Sequence, residues 1–295
     1  MPNKLEEPQY LAPIIACTNH KGGVAKTTTI VNLAAEFGRK GCSVLVVDLD
    51  PQGNASSHIG KADPNMCEKN AIHLFCDRNT RLDKKLVAEL IQTDVNPGFE
   101  NVSYVPSNED MDNVVTETLR TKSNRPAEEL KARLQLMRDV FDVILIDCPP
   151  SLNLLTGNAI SAATHYIIPV DTSTDYSRSG LLRLANFIEY TSSETNPDLI
   201  YLGALLTRHS ESINAQKAVA FEVESIEENM RGNTGNGGVL PVYIHNSSKV
   251  GEASILRVPV RKIARTNKVA EDYENLADFL MEKLALQKSM IDEIA

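Results

Sequence analysis

No apolar run in this 295-residue chain reaches the roughly 18–20 residues that a helix needs to cross a bilayer. The opening stretch, MPNKLEEPQYLAP, is polar and acidic and has no leader-like apolar core. Both gaps predict a cytosolic protein with no membrane partner. Cysteine is sparse: the five residues (Cys17, Cys42, Cys67, Cys76, Cys148) form no C-x-x-C pair. That removes the usual zinc and dithiol signatures and leaves reduced, partly buried thiols as the expectation. An overall positive charge is missing too. The net charge of −9 excludes a basic coat for nucleic acid over the whole surface. No internal repeat occurs and no linker divides the chain. A single domain over 1–295 is therefore expected, with a variable insertion around 61–140 and a C-terminal helix around 269–288.

What is present is an alternation. Seven short apolar runs read as buried strands: PIIACTN (13–19), SVLVVDLD (43–50), VSYVP (102–106), FDVILIDCPP (141–150), HYIIPVD (165–171), LIYLGALLT (199–207) and VLPVYI (239–244). They are continuous rather than alternating, as strands covered on both faces must be. Helical patterns lie between them, at 26–40, 82–92, 110–119, 126–139, 152–162, 177–194, 215–230, 249–256 and 269–288. The least ordered composition is at 61–81 and in RGNTGNGG (231–238). Strands and helices in turn predict an α/β fold, a doubly wound, mostly parallel sheet flanked by helices.

Between the first strand and the first helix lies HKGGVA, followed by Lys26, Thr27 and Thr28. A glycine-rich loop that opens a helix presents backbone N–H groups and the positive helix pole to an anion. Gly22 and Gly23 allow the backbone to approach it closely. Lys26 is placed to reach the β- and γ-phosphates of a nucleotide, and the Thr27 hydroxyl to bind Mg²⁺. Two further strands end in acids at the sheet edge where ligands bind in such folds. These are Asp48, followed by Asp50, and Asp147.

The stretch KGGVAKTT resembles the deviant Walker A motif K-G-G-x-x-K-[ST] of the ParA/MinD superfamily of P-loop ATPases. DLDPQGNAS resembles that family's D-x-D-P-Q segment, and FDVILIDCPPS its Walker B and switch segment. The likeness covers about 13–60 and about 141–285. It implies ATP contacts from Lys21, Gly22, Gly23, Val24, Ala25, Lys26, Thr27 and Thr28. It makes Lys21 the lysine that reaches the other subunit's nucleotide, and Asp50 the residue that orients the attacking water. Thr27, Asp48, Asp50 and Asp147 become the candidate Mg²⁺ set. Ala25 stands where glycine is commoner. For the adenine, the resemblance points to Thr207 and Arg208 after GALLT, and to YIHNSSKVGEAS, where His245 replaces a proline and Lys249 an arginine.

The segment 249–268 carries Lys249, Arg257, Arg261, Lys262, Arg265 and Lys268 against one acid, Glu252. A local patch of this kind can hold a phosphate backbone without reading sequence. No recognition-helix motif accompanies it. The resemblance implies an ATP-bound homodimer that binds nonspecific DNA, and a ParB-like or other adaptor that stimulates slow hydrolysis. The expected result is segregation of plasmid or chromosome DNA by a cytoplasmic, nucleoid-associated protein. A MinD-like positioning role, a protein cargo and a nucleotide-gated corepressor are the alternatives. The membrane form is disfavoured because 271–295 holds seven acids and two lysines.

Overall fold

The computed structural model describes residues 10–76, 83–173, 178–210, 213–230 and 238–286. Six strands form one sheet: β1 (Ile14–Cys17), β2 (Val44–Asp48), β3 (Val102–Val105), β4 (Val143–Asp147), β5 (His165–Asp171) and β6 (Ile200–Thr207). Every pair is parallel, and the order is β3-β2-β4-β1-β5-β6. The strands are buried almost throughout, which is why they read as unbroken apolar runs.

Period-two alternation divides the side chains between two faces. Ile15, Cys17, Val44 and Val46 point to a layer built from α1 (Lys26–Arg39) and the chain's last helices. Ile14, Ala16, Leu45 and Val47 point to the other face. The helices between follow in order: α2 (Asn54–Ile59), α3 (His73–Cys76), α4 (Lys84–Ala88), α5 (Met111–Lys122), α6 (Glu129–Gln135) and α7 (Leu154–Ala162). Then come α8 (Arg178–Thr195), α9 (Asn214–Met230), α10 (Ser248–Ile255), α11 (Val260–Ile263) and α12 (Lys268–Lys283). Residues 61–140 supply β3 and α3 to α6, with Phe75, Leu119 and Leu134 buried against the sheet. α1 lies against α12, where Leu33, Phe37, Tyr273, Leu276 and Leu280 are buried together.

Three expectations need adjustment. VLPVYI forms no strand; it follows β6 through Leu240 N to Ala204 O (2.8 Å) and Ile244 N to Leu206 O (2.8 Å), leaving only isolated bridges. Pro241, between them, has no N–H to give a ladder. α2, α3 and α11 are short helices that apolar periodicity did not mark, because four to six residues make too few turns for a pattern. The expected loop at 231–238, apart from its last residue, lies outside the described residues, as do the last two residues of the helix expected at 269–288.

Candidate functional site

The strand order places β4 between β2 and β1, so three C-terminal strand ends meet. Asp48 is in register with Asp147, and Asp147 with Cys17, the last residue before the loop into α1. Asp147, 120 residues away in the chain, accepts a hydrogen bond from the Thr27 hydroxyl at 2.7 Å. Its other oxygen, Oδ1, is buried without a partner. Burial, and then the neighbouring Asp48, hold the Asp147 carboxyl well above the ordinary carboxylate range. A buried acceptor beside a hydroxyl, in a carboxyl that resists ionising, fits a divalent cation, whose charge would offset both costs.

The loop folds over this point. Gly23 is left-handed at φ 77°, and so is Ala25 at φ 71°. Ala25 is the N-cap of α1 and offers no side-chain acceptor to the first-turn N–H groups. Lys26 is 6% exposed and its ammonium donates to the Lys21 carbonyl at 3.3 Å, which closes the loop on itself. The Lys21 N–H in turn donates to the Asn19 side chain at 3.0 Å. Thr28 follows on α1, and its carbonyl accepts from Asn32. Val24 is buried, and its carbonyl accepts from the Thr207 hydroxyl at 3.2 Å, which ties the end of β6 beneath the loop.

Asp48 and Asp50 differ in surroundings. Asp48 is fully buried. Its oxygens accept from Ser56 N (2.8 Å), Ser56 Oγ (2.6 Å) and Asp50 N (3.1 Å). Burial pushes its carboxyl up to about 6 despite the Ser56 bonds. Ser56 Oγ also accepts from Ser107 N at 2.9 Å, which links α2 to the end of β3. Asp50 is 7% exposed and accepts from Gln52 N at 3.1 Å.

On the other flank, Arg208 (φ 50°) donates to Asp171 at 2.8 Å, and His245 binds Asp272 through both its N–H and Nδ1 (2.9 and 2.8 Å). Tyr243 sits between the rings of His209 and His245. Ser56, Ser107, Asp171 and Asp272 were not singled out from the sequence. Asp171 carries the signal that found Asp48 and Asp147, an acid that closes an apolar run.

The basic segment is not uniform. Arg261 donates to Glu36 at 2.5 Å and to Glu274 at 2.7 Å. Lys249 pairs with Glu252, and Lys268 approaches Glu271 at 3.6 Å. Arg257, Lys262 and Arg265 are exposed, with no carboxylate among the described residues within 4.0 Å.

A family model for an AAA domain matches residues 12–201. The chain is 37% identical over 216 residues to the sporulation initiation inhibitor protein Soj of Bacillus subtilis, covering 72% of this chain and 79% of Soj. It is 32% identical over 270 residues to the chromosome partitioning protein ParA of Myxococcus xanthus, covering 92% of this chain and 88% of that protein. Among solved structures it resembles cobyrinic acid a,c-diamide synthase of Mycobacterium smegmatis with a bound ATP analogue and magnesium. That match has a TM-score of 0.74 and 29% identity, over 94% of this chain and 98% of that one.

Proposed function

Because this chain belongs to the ParA/MinD family of P-loop ATPases, we propose that it is a partition ATPase that couples ATP binding to nonspecific DNA binding, and hydrolysis to release. The observation that carries the nucleotide reading is the Thr27–Asp147 bond, with Asp147 Oδ1 left open beneath a glycine-rich loop. Names among the relatives support the partition role. The segment 1–295 is taken as one catalytic unit in this reading, with 61–140 its most individual part.

ATP lies along Lys21 to Thr28, its phosphates at the uncapped N-terminus of α1. Lys26 leaves the Lys21 carbonyl for the β- and γ-phosphates, and Thr28 adds a further ATP contact from the first turn of α1. Thr27 and Asp147 would hold Mg²⁺, which would supply positive charge to offset that developing on the phosphates. Asp48 contributes to the metal set from behind: its oxygens are spent on Ser56 and Asp50, so it fixes the segment that carries Asp50. Asp50 orients the attacking water. Thr207, Arg208 and His245 flank the base. Lys21 crosses to the nucleotide of a second copy, so that two subunits complete one another's sites. A water held without a partner's help is poorly aligned, which makes basal hydrolysis slow.

The exposed cations Lys262 and Arg265, with Lys249 and Lys268, form a DNA face; Arg257 stands at its border with the phosphate loop. Arg261 supports that face through Glu36 and Glu274. Release follows a ParB-like or other adaptor that stimulates hydrolysis. The site is cytoplasmic and nucleoid-associated in this reading; no described helix is long and apolar enough to cross a membrane. Asp50→Ala tests the cycle: with ATP and Mg²⁺ the variant should accumulate on DNA in a cosedimentation assay while wild type turns over. Equal release of both proteins would refute the role of Asp50.

A further inference from the structure

Beside the phosphate loop, a cavity of about 280 Å³ opens between α1, α2 and α10. Its wall holds Thr27, Thr28, Asn54, Ser57, Ser254 and Arg257, and no carboxylate. Two of these, Thr27 and Thr28, open α1 where the helix pole is positive. The one full charge on the wall is also positive. A space with this lining favours an anion, and phosphate suits its hydroxyl and guanidinium donors.

The turn that carries Arg257 is held from both sides. The His58 Nε2–H donates to the Val258 carbonyl at 2.8 Å, and Val260 N donates to Asn32 Oδ1 at 2.9 Å. Arg257 N bonds Ser254 O at 3.2 Å, and Val258 N bonds Ala253 O at 3.1 Å. Within this frame Arg257 adopts φ 53°, a left-handed conformation that costs a branched or long side chain energy and suits glycine. A glycine would close the turn more cheaply, so packing does not account for arginine here. Arg257 lines the cavity together with His58, whose basicity is depressed by burial and then by the Arg257 charge.

We propose that Arg257 is a cation for the phosphates of the nucleotide bound at the loop, within this cavity, rather than one more contact to DNA. The proposal rests on the nucleotide reading of the loop. It implies that a residue in the basic segment reports nucleotide occupancy to the adjoining exposed cations.

The test is calorimetric binding of ATP and ADP to the full chain with Mg²⁺ and without DNA. The proteins are wild type, Arg257→Gly, Arg257→Lys, and Lys85→Ala as a distant charge control. Arg257→Gly should fold as well as wild type, because glycine suits the turn, and should bind both nucleotides about tenfold more weakly, the loss of one charge-assisted contact. Arg257→Lys should retain most of the affinity, and Lys85→Ala all of it. An ATP affinity for Arg257→Gly within twofold of wild type would overturn the proposal; if, with that affinity unchanged, the variant loses binding to random-sequence duplex at saturating ATP in a separate assay, the cation belongs to DNA phosphates. If wild type binds no ATP, the nucleotide reading itself fails and this inference falls with it. If it binds and only the variant data disagree, the inference alone fails.

Discussion

Replacing Arg261 by methionine separates a supporting role from a direct DNA contact. The side chain bridges α1 and α12 from α11. It donates to Glu36, whose carboxylate is 4% exposed, to Glu274 and, at 2.9 Å, to the Ala270 carbonyl. Methionine preserves much of the packing and removes the three donors. A buried carboxylate left wholly alone costs about 3–5 kcal/mol. Glu36 keeps Arg39 at 2.8 Å, and Glu274 keeps Arg39 at 2.6 Å, so the loss should be smaller, about 2–3 kcal/mol. Urea unfolding at neutral pH, without nucleotide, measures it as a lower midpoint at unchanged slope. The difference should also depend on pH. Burial raises the Glu274 carboxyl, but Arg261, Arg39 and Lys40 outweigh it, so its folded value lies below the ordinary range. A depressed carboxylate stabilises the fold above the unfolded value of about 4.3 and loses that contribution as pH falls through the folded value. The gap between wild type and Arg261→Met should therefore narrow on acidification below about pH 4. A loss under about 0.5 kcal/mol, together with weaker DNA binding, would refute the supporting role and make Arg261 a DNA contact.

Other outcomes follow from the same geometry. Gly38→Ala should destabilise by about 2 kcal/mol despite alanine's higher helix propensity, since its Cβ would lie 2.2 Å from the Glu100 carbonyl oxygen; thermal unfolding checks this. Ser56→Ala removes a donor to Asp48 and the acceptor of Ser107 N, and should cost about 2 kcal/mol in urea unfolding and slow hydrolysis more than it weakens ATP binding. Lys21→Ala should leave nucleotide binding intact and abolish the ATP-dependent dimer; an unchanged dimer by light scattering would end the cross-subunit role.

The sheet was legible because burial on both faces writes strands as unbroken apolar runs, and an acid at the end of a run marks the ligand edge. Asp48 and Asp147 were singled out in this way as strand-end acids, and the structure sets them in register; Asp171 carried the same mark unread. The phosphate loop was legible from Gly22, Gly23 and Lys26, whose chemistry is local. What escaped depends on distance in the chain. Ser107 meets Ser56 across 51 residues, and Asp272 meets His245 across 27, with no shared pattern to announce either pair. VLPVYI looked like a strand because composition gave Pro241 too little weight. Arg261 looked like the other basic residues of its segment, and only packing set it against Glu36.

The central claim is that nucleotide state controls DNA binding. The most direct test measures binding of the purified chain to random-sequence duplex with ATP, with ADP and without nucleotide, at two salt concentrations. The account predicts binding with ATP only, weaker at higher salt and indifferent to sequence. Absence of binding in every state, or equal binding in all three, would contradict it.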